Sequence, residues 1–228
     1  MIWGDIRLKA RWCYGRDDWR AVVKTLLTDG TAAMVWYRAM QWCQRHRLTP
    51  LAMVCNKLNA ILCQCIIGRG AEFGPGFVLI HSQGVVINGQ VRGGSRIFIE
   101  HQVTIGAERD QSPLLADDIF LGAGAKVIGA VQLGRQVRVG ANAVVVKNVP
   151  DGATVGGIPA RVLRMRPLSP DGLFGTELLT SGLLASGLSA SEPGLIPGAP
   201  ISSAELKGQS AEPHHAGFQA TPLEEVLQ

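Results

Sequence analysis

The sequence predicts an α+β chain in three zones: an N-terminal α-helical segment over residues 1–65, a parallel β-helix of hexapeptide repeats over 66–166, and a disordered tail over 167–228. Three observations carry this. Apolar residues recur at three- and four-residue steps in the first zone, the spacing of one helix face. In the second zone every sixth residue is apolar, a period that is neither helical nor that of an alternating strand. The third zone is rich in Gly, Ser, Pro, Ala and Leu and keeps no period, so it offers no core-forming face.

The helical zone divides at its breakers. Trp19, Val22, Val23, Leu26 and Leu27 mark one face, and Asp29-Gly30 ends that helix. Met34, Tyr37 and Met40 mark the next. Thr49-Pro50 opens a further one, through Leu51, Val54, Leu58, Ile61 and Leu62, with the proline where a missing N–H costs nothing.

The repeat zone starts at Ile67. Counting in sixes gives Ile67, Phe73, Leu79, Val85, Val91, Ile97, Val103, Arg109, Leu115, Leu121, Val127, Leu133, Val139 and Val145, of which thirteen of fourteen are apolar. The exception, Arg109, falls in the polar loop Ala107–Pro113. Each hexad is one short strand and a turn, and three hexads close a triangular coil. Successive coils hydrogen-bond about 4.8 Å apart, and the zone holds roughly five of them. Glycine follows the inward residue at Gly68, Gly74, Gly122, Gly134 and Gly140, a small residue for a tight corner. The hand expected is left, that of known hexapeptide folds, against the usual right-handed crossover.

The register assigns directions. Residue i points inward and residue i+2 outward, so His81, two after Leu79, faces out. Ile87, Ile99 and Ile105 fall in the same outward slot, and exposed isoleucines on three faces predict a symmetric oligomer that covers them, a homotrimer or a dimer of trimers. Steps of eighteen from Ile105 give Ala123, Ala141 and Pro159, and Gly122 leads to Gly140. This smooth stripe suits a long thin ligand, and Arg161, Arg164 and Arg166 beyond it suit a phosphate. His101 falls in a half-inward slot, stacked on Gln83, either as a satisfied polar pair or as support for His81.

Composition narrows the function. Residues 1–168 carry 21 Lys/Arg and 11 Asp/Glu, and residues 169–228 one Lys and seven acids. A basic body of this kind favours anionic ligands. Five cysteines, Cys13, Cys43, Cys55, Cys63 and Cys65, do not form a disulfide framework, and Cys63-x-Cys65 is too little for zinc. No metal is expected. The N-terminal MIWGDIRLKARW lacks the apolar core of a signal peptide. Pro50–Ile67 is interrupted by Asn56, Lys57, Asn59 and Gln64, so no transmembrane segment is expected and the location expected is cytoplasmic.

With the register in place, IHSQGVVINGQV, VTIG, IFLGAGAKVIGAVQLG and VGANAVVVKNVPDGATVGGIPARVLRM together resemble the serine acetyltransferase branch of the hexapeptide acyltransferases. The similarity covers about residues 30–166 and includes Trp36-Tyr37-Arg38 and Trp42. The resemblance implies an acetyl-CoA-dependent O-acetyltransferase with His81 as general base on an acceptor hydroxyl. Acetyl-CoA is then a co-substrate and no cofactor is permanently bound. It further implies that Gly122, Ala123, Ala141, Gly156 and Gly157 line the pantetheine track, with Arg161 near the CoA phosphates. Gln83, His101, Glu100 and Arg109 are candidates for supporting the base or the acceptor.

The chain departs from the family's pattern around the acceptor. Ile80 stands where the family has an Asp before the catalytic His, and Ile66-Ile67-Gly68-Arg69 where it has Asp-Ile-His-Pro. The loop reads Glu108-Arg109-Asp110-Gln111-Ser112-Pro113 in place of Gly-Asp-Arg-His-Pro. Asp17, Asp18 and Glu100 are the candidate replacement carboxylates. The chain ends Leu227-Gln228 without the family's terminal isoleucine, so the sulfhydrylase complex is not expected. L-serine is the first acceptor and a sugar hydroxyl of cell-surface polysaccharide assembly the alternative. A non-catalytic scaffold would leave the stripe filled, and a zinc carbonic anhydrase needs three histidines where the repeats offer His81 and His101. Nucleic acid is not an expected partner.

Overall fold

The computed structural model describes residues 1–170 and 172. Four helices come first: α1 (Ile2–Tyr14), α2 (Trp19–Leu26), α3 (Thr31–Arg45) and α4 (Thr49–Cys63). Asp18 caps α2 by accepting the N–H of Ala21 at 3.0 Å, satisfying one of the helix's free donors. Gly30, with φ +79°, turns the chain into α3. Among the described residues, no helix is long and apolar enough to cross a membrane.

A left-handed β-helix follows. Its first coil is β1 (Ile66–Ile67), β2 (Glu72–Phe73) and β3 (Phe77–Leu79), and its second β4 (Val86–Ile87), β5 (Arg92–Gly93) and β6 (Ile97–Ile99). The third is β7 (Thr104–Gly106), β8 (Leu114–Leu115) and β9 (Ile119–Leu121), and the fourth β10 (Lys126–Ile128), β11 (Gln132–Leu133) and β12 (Arg138–Val139). β13 (Val144–Val145) and β14 (Ala153–Gly156) begin the last coil, and β15 (Arg161–Met165) turns back antiparallel on β14. Three parallel faces result: β1-β4-β7-β10-β13, β2-β5-β8-β11 and β3-β6-β9-β12-β14.

The thirteen apolar sixth residues are all buried, but the coils are not uniform. Ile67 pairs with Ile87, Ile87 with Ile105, Ile105 with Val127 and Val127 with Val145, steps of 20, 18, 22 and 18 residues. Two extra residues lie in the corner between β3 and β4, and four extra in the loop between β7 and β8. Together they make one hexad, so the count in sixes returns to phase after the loop. Between the insertions the counted residues occupy the slot two before the true strand centre, which also points inward.

This overturns the outward isoleucines. Ile87, Ile99 and Ile105 are at most 1% exposed and stand in the core columns opposite Ile67, Leu79 and Val127. The argument for an oligomer from those residues therefore falls. Exposed apolar side chains lie elsewhere, on α4 at Leu51, Val54, Ile61 and Leu62 and on the first strand face at Ile66 and Val86.

A buried polar network ties the helices to the first coil. The Tyr37 hydroxyl donates to the carbonyl of Ala71 and accepts the N–H of Phe73, both at 3.1 Å. Arg38 donates to Asp5 at 2.7 Å and to the carbonyls of Phe73 and Gly74, while Asp5 accepts the N–H of Gly76 at 2.6 Å. Every charge in this group has a partner, which is the condition for burying one. On the outer surface of the third face, Leu8 and Trp12 of α1 cover Val78, Ile80, Phe98 and Phe120, with Trp12 5.2 Å from the Phe98 ring.

The segment expected to be disordered begins with residues held on the β-helix. Ser169 exchanges two hydrogen bonds with the Gln136 side chain, at 2.6 and 2.8 Å. Residue 171 and residues 173–228, where the rest of that expectation falls, lie outside the described residues.

Candidate active site

The corner between the third and first faces carries the candidate site. Here Leu79 is followed by Ile80-His81-Ser82-Gln83-Gly84-Val85 before β4, eight residues to Ile87 where the next coils use six. The bulge lifts His81 out of the coil, and its side chain is 52% exposed.

The carboxylate that meets His81 is Asp29. Its Oδ2 lies 3.3 Å from His81 Nδ1, and its Oδ1 accepts the Ser82 hydroxyl at 3.0 Å and the Gly30 N–H at 2.7 Å. Burial pushes the Asp29 carboxyl up, but hydrogen bonds from Ser82, Gly30 and His81 outweigh that and hold it below the ordinary carboxylate value. A charged carboxylate on Nδ1 leaves Nε2 as the free lone pair of the neutral ring.

None of the three candidate carboxylates fills this role. Asp17 pairs with Arg11 at 2.9 Å, Asp18 caps α2, and Glu100 lies 3.7 Å from His101 Nδ1. Sequence reading saw Asp29 only as a helix breaker, because nothing in a 52-residue separation announces contact with His81. Ser82, which shares the same carboxylate across 53 residues, was missed too. Ile80, in the family's Asp position, is 7% exposed under Leu8 and Trp12. Its surroundings are apolar, and the carboxylate that meets His81 comes from another element.

His101 is not half-inward. Its side chain is 46% exposed, and its ring stands T-shaped to that of His81 with centroids 6.0 Å apart. The Gln102 N–H does bond the Gln83 carbonyl at 2.8 Å, so Gln83 lies beneath this corner in the backbone ladder. The two extra residues place His81, rather than the Gln83 side chain, against the His101 ring. Arg109 sits exposed at a loop tip with φ +48°, away from His81's contacts.

From His101 the same corner slot continues through Ala123 and Ala141, two residues after Leu121 and Val139. The last coil steps by 16 residues, Val139 to Val155, so the column ends on Gly157 rather than Pro159. Gly122 is glycine because the coils nearly touch: a Cβ there would fall 2.8 Å from the Ala141 nitrogen. At Gly157 a Cβ would meet only the Pro159 carbonyl, at 3.7 Å. Arg161 pairs with Gly156 at the start of β15 and is exposed beside the column's end. The corner thus sets an imidazole–carboxylate pair at one end of a small-residue track, with exposed Arg161 beside the other end.

No family model matches the chain. A serine acetyltransferase of Synechococcus elongatus is 38% identical over 142 residues, 60% of this chain and 58% of that protein. One of Helicobacter pylori is 34% identical over 152 residues, 65% of this chain and 87% of that protein. The crystal structure of the Brucella abortus serine acetyltransferase in complex with coenzyme A superposes with a TM-score of 0.65 at 28% identity, covering 72% of this chain and 68% of that one.

Proposed function

The chain belongs to the serine acetyltransferase family, and on that premise we propose that it transfers the acetyl group of acetyl-CoA to the hydroxyl of L-serine, with His81 as general base. The observation that supports this is the Asp29–His81 pair at the head of the Ala123–Ala141–Gly157 track. Asp29 accepts Nδ1–H, and Nε2 takes the acceptor's hydroxyl proton as the oxygen attacks the thioester carbon. The tetrahedral adduct collapses, the C–S bond breaks, and the imidazolium returns the proton to the departing sulfur. No acyl-enzyme is needed. Positioned bases of this kind contribute about 10²–10⁴ in rate.

Gly122, Ala123, Ala141, Gly156 and Gly157 would line the pantetheine, and Arg161 would meet a CoA phosphate. A homotrimer or dimer of trimers rests now on the exposed apolar side chains of α4 and the first strand face, and light scattering of the purified protein tests it.

One observation favours a second acceptor class. Among the described residues, the side chains touching His81 are Asp29 and His101, Glu100 lies beside His101, and the nearby Lys9 ammonium is fully buried. An amino-acid carboxylate needs an exposed cation that these groups do not supply, whereas a sugar hydroxyl does not. The deciding experiment follows CoA release with L-serine and with a panel of sugars, for wild type and His81→Ala. Turnover of serine that vanishes in the variant supports the first reading, and turnover of a sugar alone supports the second. Full activity of His81→Ala would refute the mechanism.

A further inference from the structure

We propose that Lys9 is a positioning residue: its ammonium, enclosed between α1 and the turn after α2, fixes the backbone at Asp29 and thereby the carboxylate that orients His81. The proposal rests on His81 acting as the base.

Lys9 is 0% exposed. Its ammonium donates to the carbonyl oxygen of Asp29. The groups that face it are Cys13 of α1, Asp29 of the turn and Glu100 at the end of β6. An ammonium buried on a backbone carbonyl is expensive. Methionine or leucine would fill the space at less cost, and α1 already packs through Leu8 and Trp12. Packing therefore does not account for a lysine here.

What the ammonium gains is a hold on the turn. Gly30 presses on the end of β3: a Cβ there would fall 2.4 Å from the Leu79 carbonyl oxygen and 3.1 Å from Lys9 Nζ. Ammonium, turn and strand end thus meet at one point. Asp29, immediately before Gly30, reaches His81 and Ser82, the second and third residues after Leu79. Displacement of the turn would move the carboxylate off Nδ1. Burial lowers the Lys9 ammonium to about 8, so its proton leaves just above neutrality. The hold on the carbonyl weakens as pH rises through that value.

The test compares wild type, Lys9→Met, Asp29→Asn and the double variant. Lys9→Met keeps the stem and removes the charge. Its expected effect is a ~10–100-fold loss in kcat, the scale of a misplaced catalytic group, with the KM for acetyl-CoA unchanged. The two losses should not multiply in the double variant, because both act through one carboxylate. The wild-type kcat should fall above about pH 8, and this limb should be missing in Lys9→Met. Unchanged kcat in Lys9→Met, or losses that multiply, would overturn the proposal. If Lys9→Met does not fold, the wild-type profile decides, and a kcat flat from about pH 7 to about pH 9.5 counts against it. Nitrogen chemical shifts of the His81 ring give a readout that needs no turnover. Lys9→Met and Asp29→Asn should move them alike, and an unmoved His81 in Lys9→Met refutes the positioning role. Absence of acyl transfer with every acceptor would instead refute the proposed function, leaving the ring shifts to decide on Lys9.

Discussion

Replacing Asp29 by asparagine removes one charge and little volume, and its consequence can be sized. Asp29 Oδ2 and His81 Nδ1 are 3.3 Å apart. Opposite unit charges at that distance attract by about 5 kcal/mol at an effective dielectric of about 20 and by about 1 kcal/mol in bulk water. The side chains are 52% and 40% exposed, which places the pair toward the screened limit. A loss of about 1–3 kcal/mol in transition-state stabilisation follows, or ~5–150-fold in kcat. Steady-state CoA release with saturating acetyl-CoA measures it, with His81→Ala as the floor. The pH dependence follows from the same contacts. A carboxyl held below its ordinary value is charged from about pH 4 upward, and its contribution disappears only as pH falls through the lowered pKa. Asp29 is therefore charged throughout the range from about pH 5 to about pH 8, and Asp29→Asn should lose rate within it. A variant with wild-type kcat across that range would show that Asp29 does not orient the base.

Three further outcomes are expected. Ile80→Asp, restoring the family's residue, buries a carboxylate beneath Leu8 and Trp12 and should destabilise by about 2–4 kcal/mol at neutral pH. The buried acid's pKa is raised, so the loss shrinks as pH falls, and urea melts at two pH values check it. Ala141→Leu, at an exposed corner position, should leave the melting temperature unchanged. If the track holds pantetheine, the KM for acetyl-CoA rises ~10-fold or more. Lys9 carries a sign of its own. Its folded-state pKa is about 8 against 10.5, so between those values the unfolded chain binds a proton that the native one lacks. Wild-type stability should rise with pH across this window, by at most about 3 kcal/mol. Lys9→Met should lack this rise and be the more heat-resistant protein at pH 7; a wild-type curve parallel to the variant's would show that Lys9 titrates normally.

Much of the fold was legible because its rule is local. An apolar residue every sixth position needs no knowledge of what lies across the coil, and His81 could be placed outside from Leu79 alone. The same regularity misled at the next coil. Two extra residues at the His81 corner and four in the Ala107–Pro113 loop add to six, and the slot two before the strand centre is also inward and apolar. Both phases therefore read alike, and Ile87, Ile99 and Ile105 looked exposed when they are core. His101 was misplaced for the same reason.

The sequence by itself determined the helical segment and the repeats, the inward columns, the outward histidine and the small-residue corner, because each follows from periodicity along a continuous stretch. Only the tertiary structure decided what surrounds that histidine. Asp29 and Lys9 come from the helical segment, 52 and 72 residues before His81; Asp29 reaches the histidine, and Lys9 the turn that carries Asp29, because α1 packs on the third face and the turn at Gly30 closes on Leu79. A repeat writes its own geometry into the chain. A contact between two elements of different period depends on how they pack, and no spacing in the sequence encodes it.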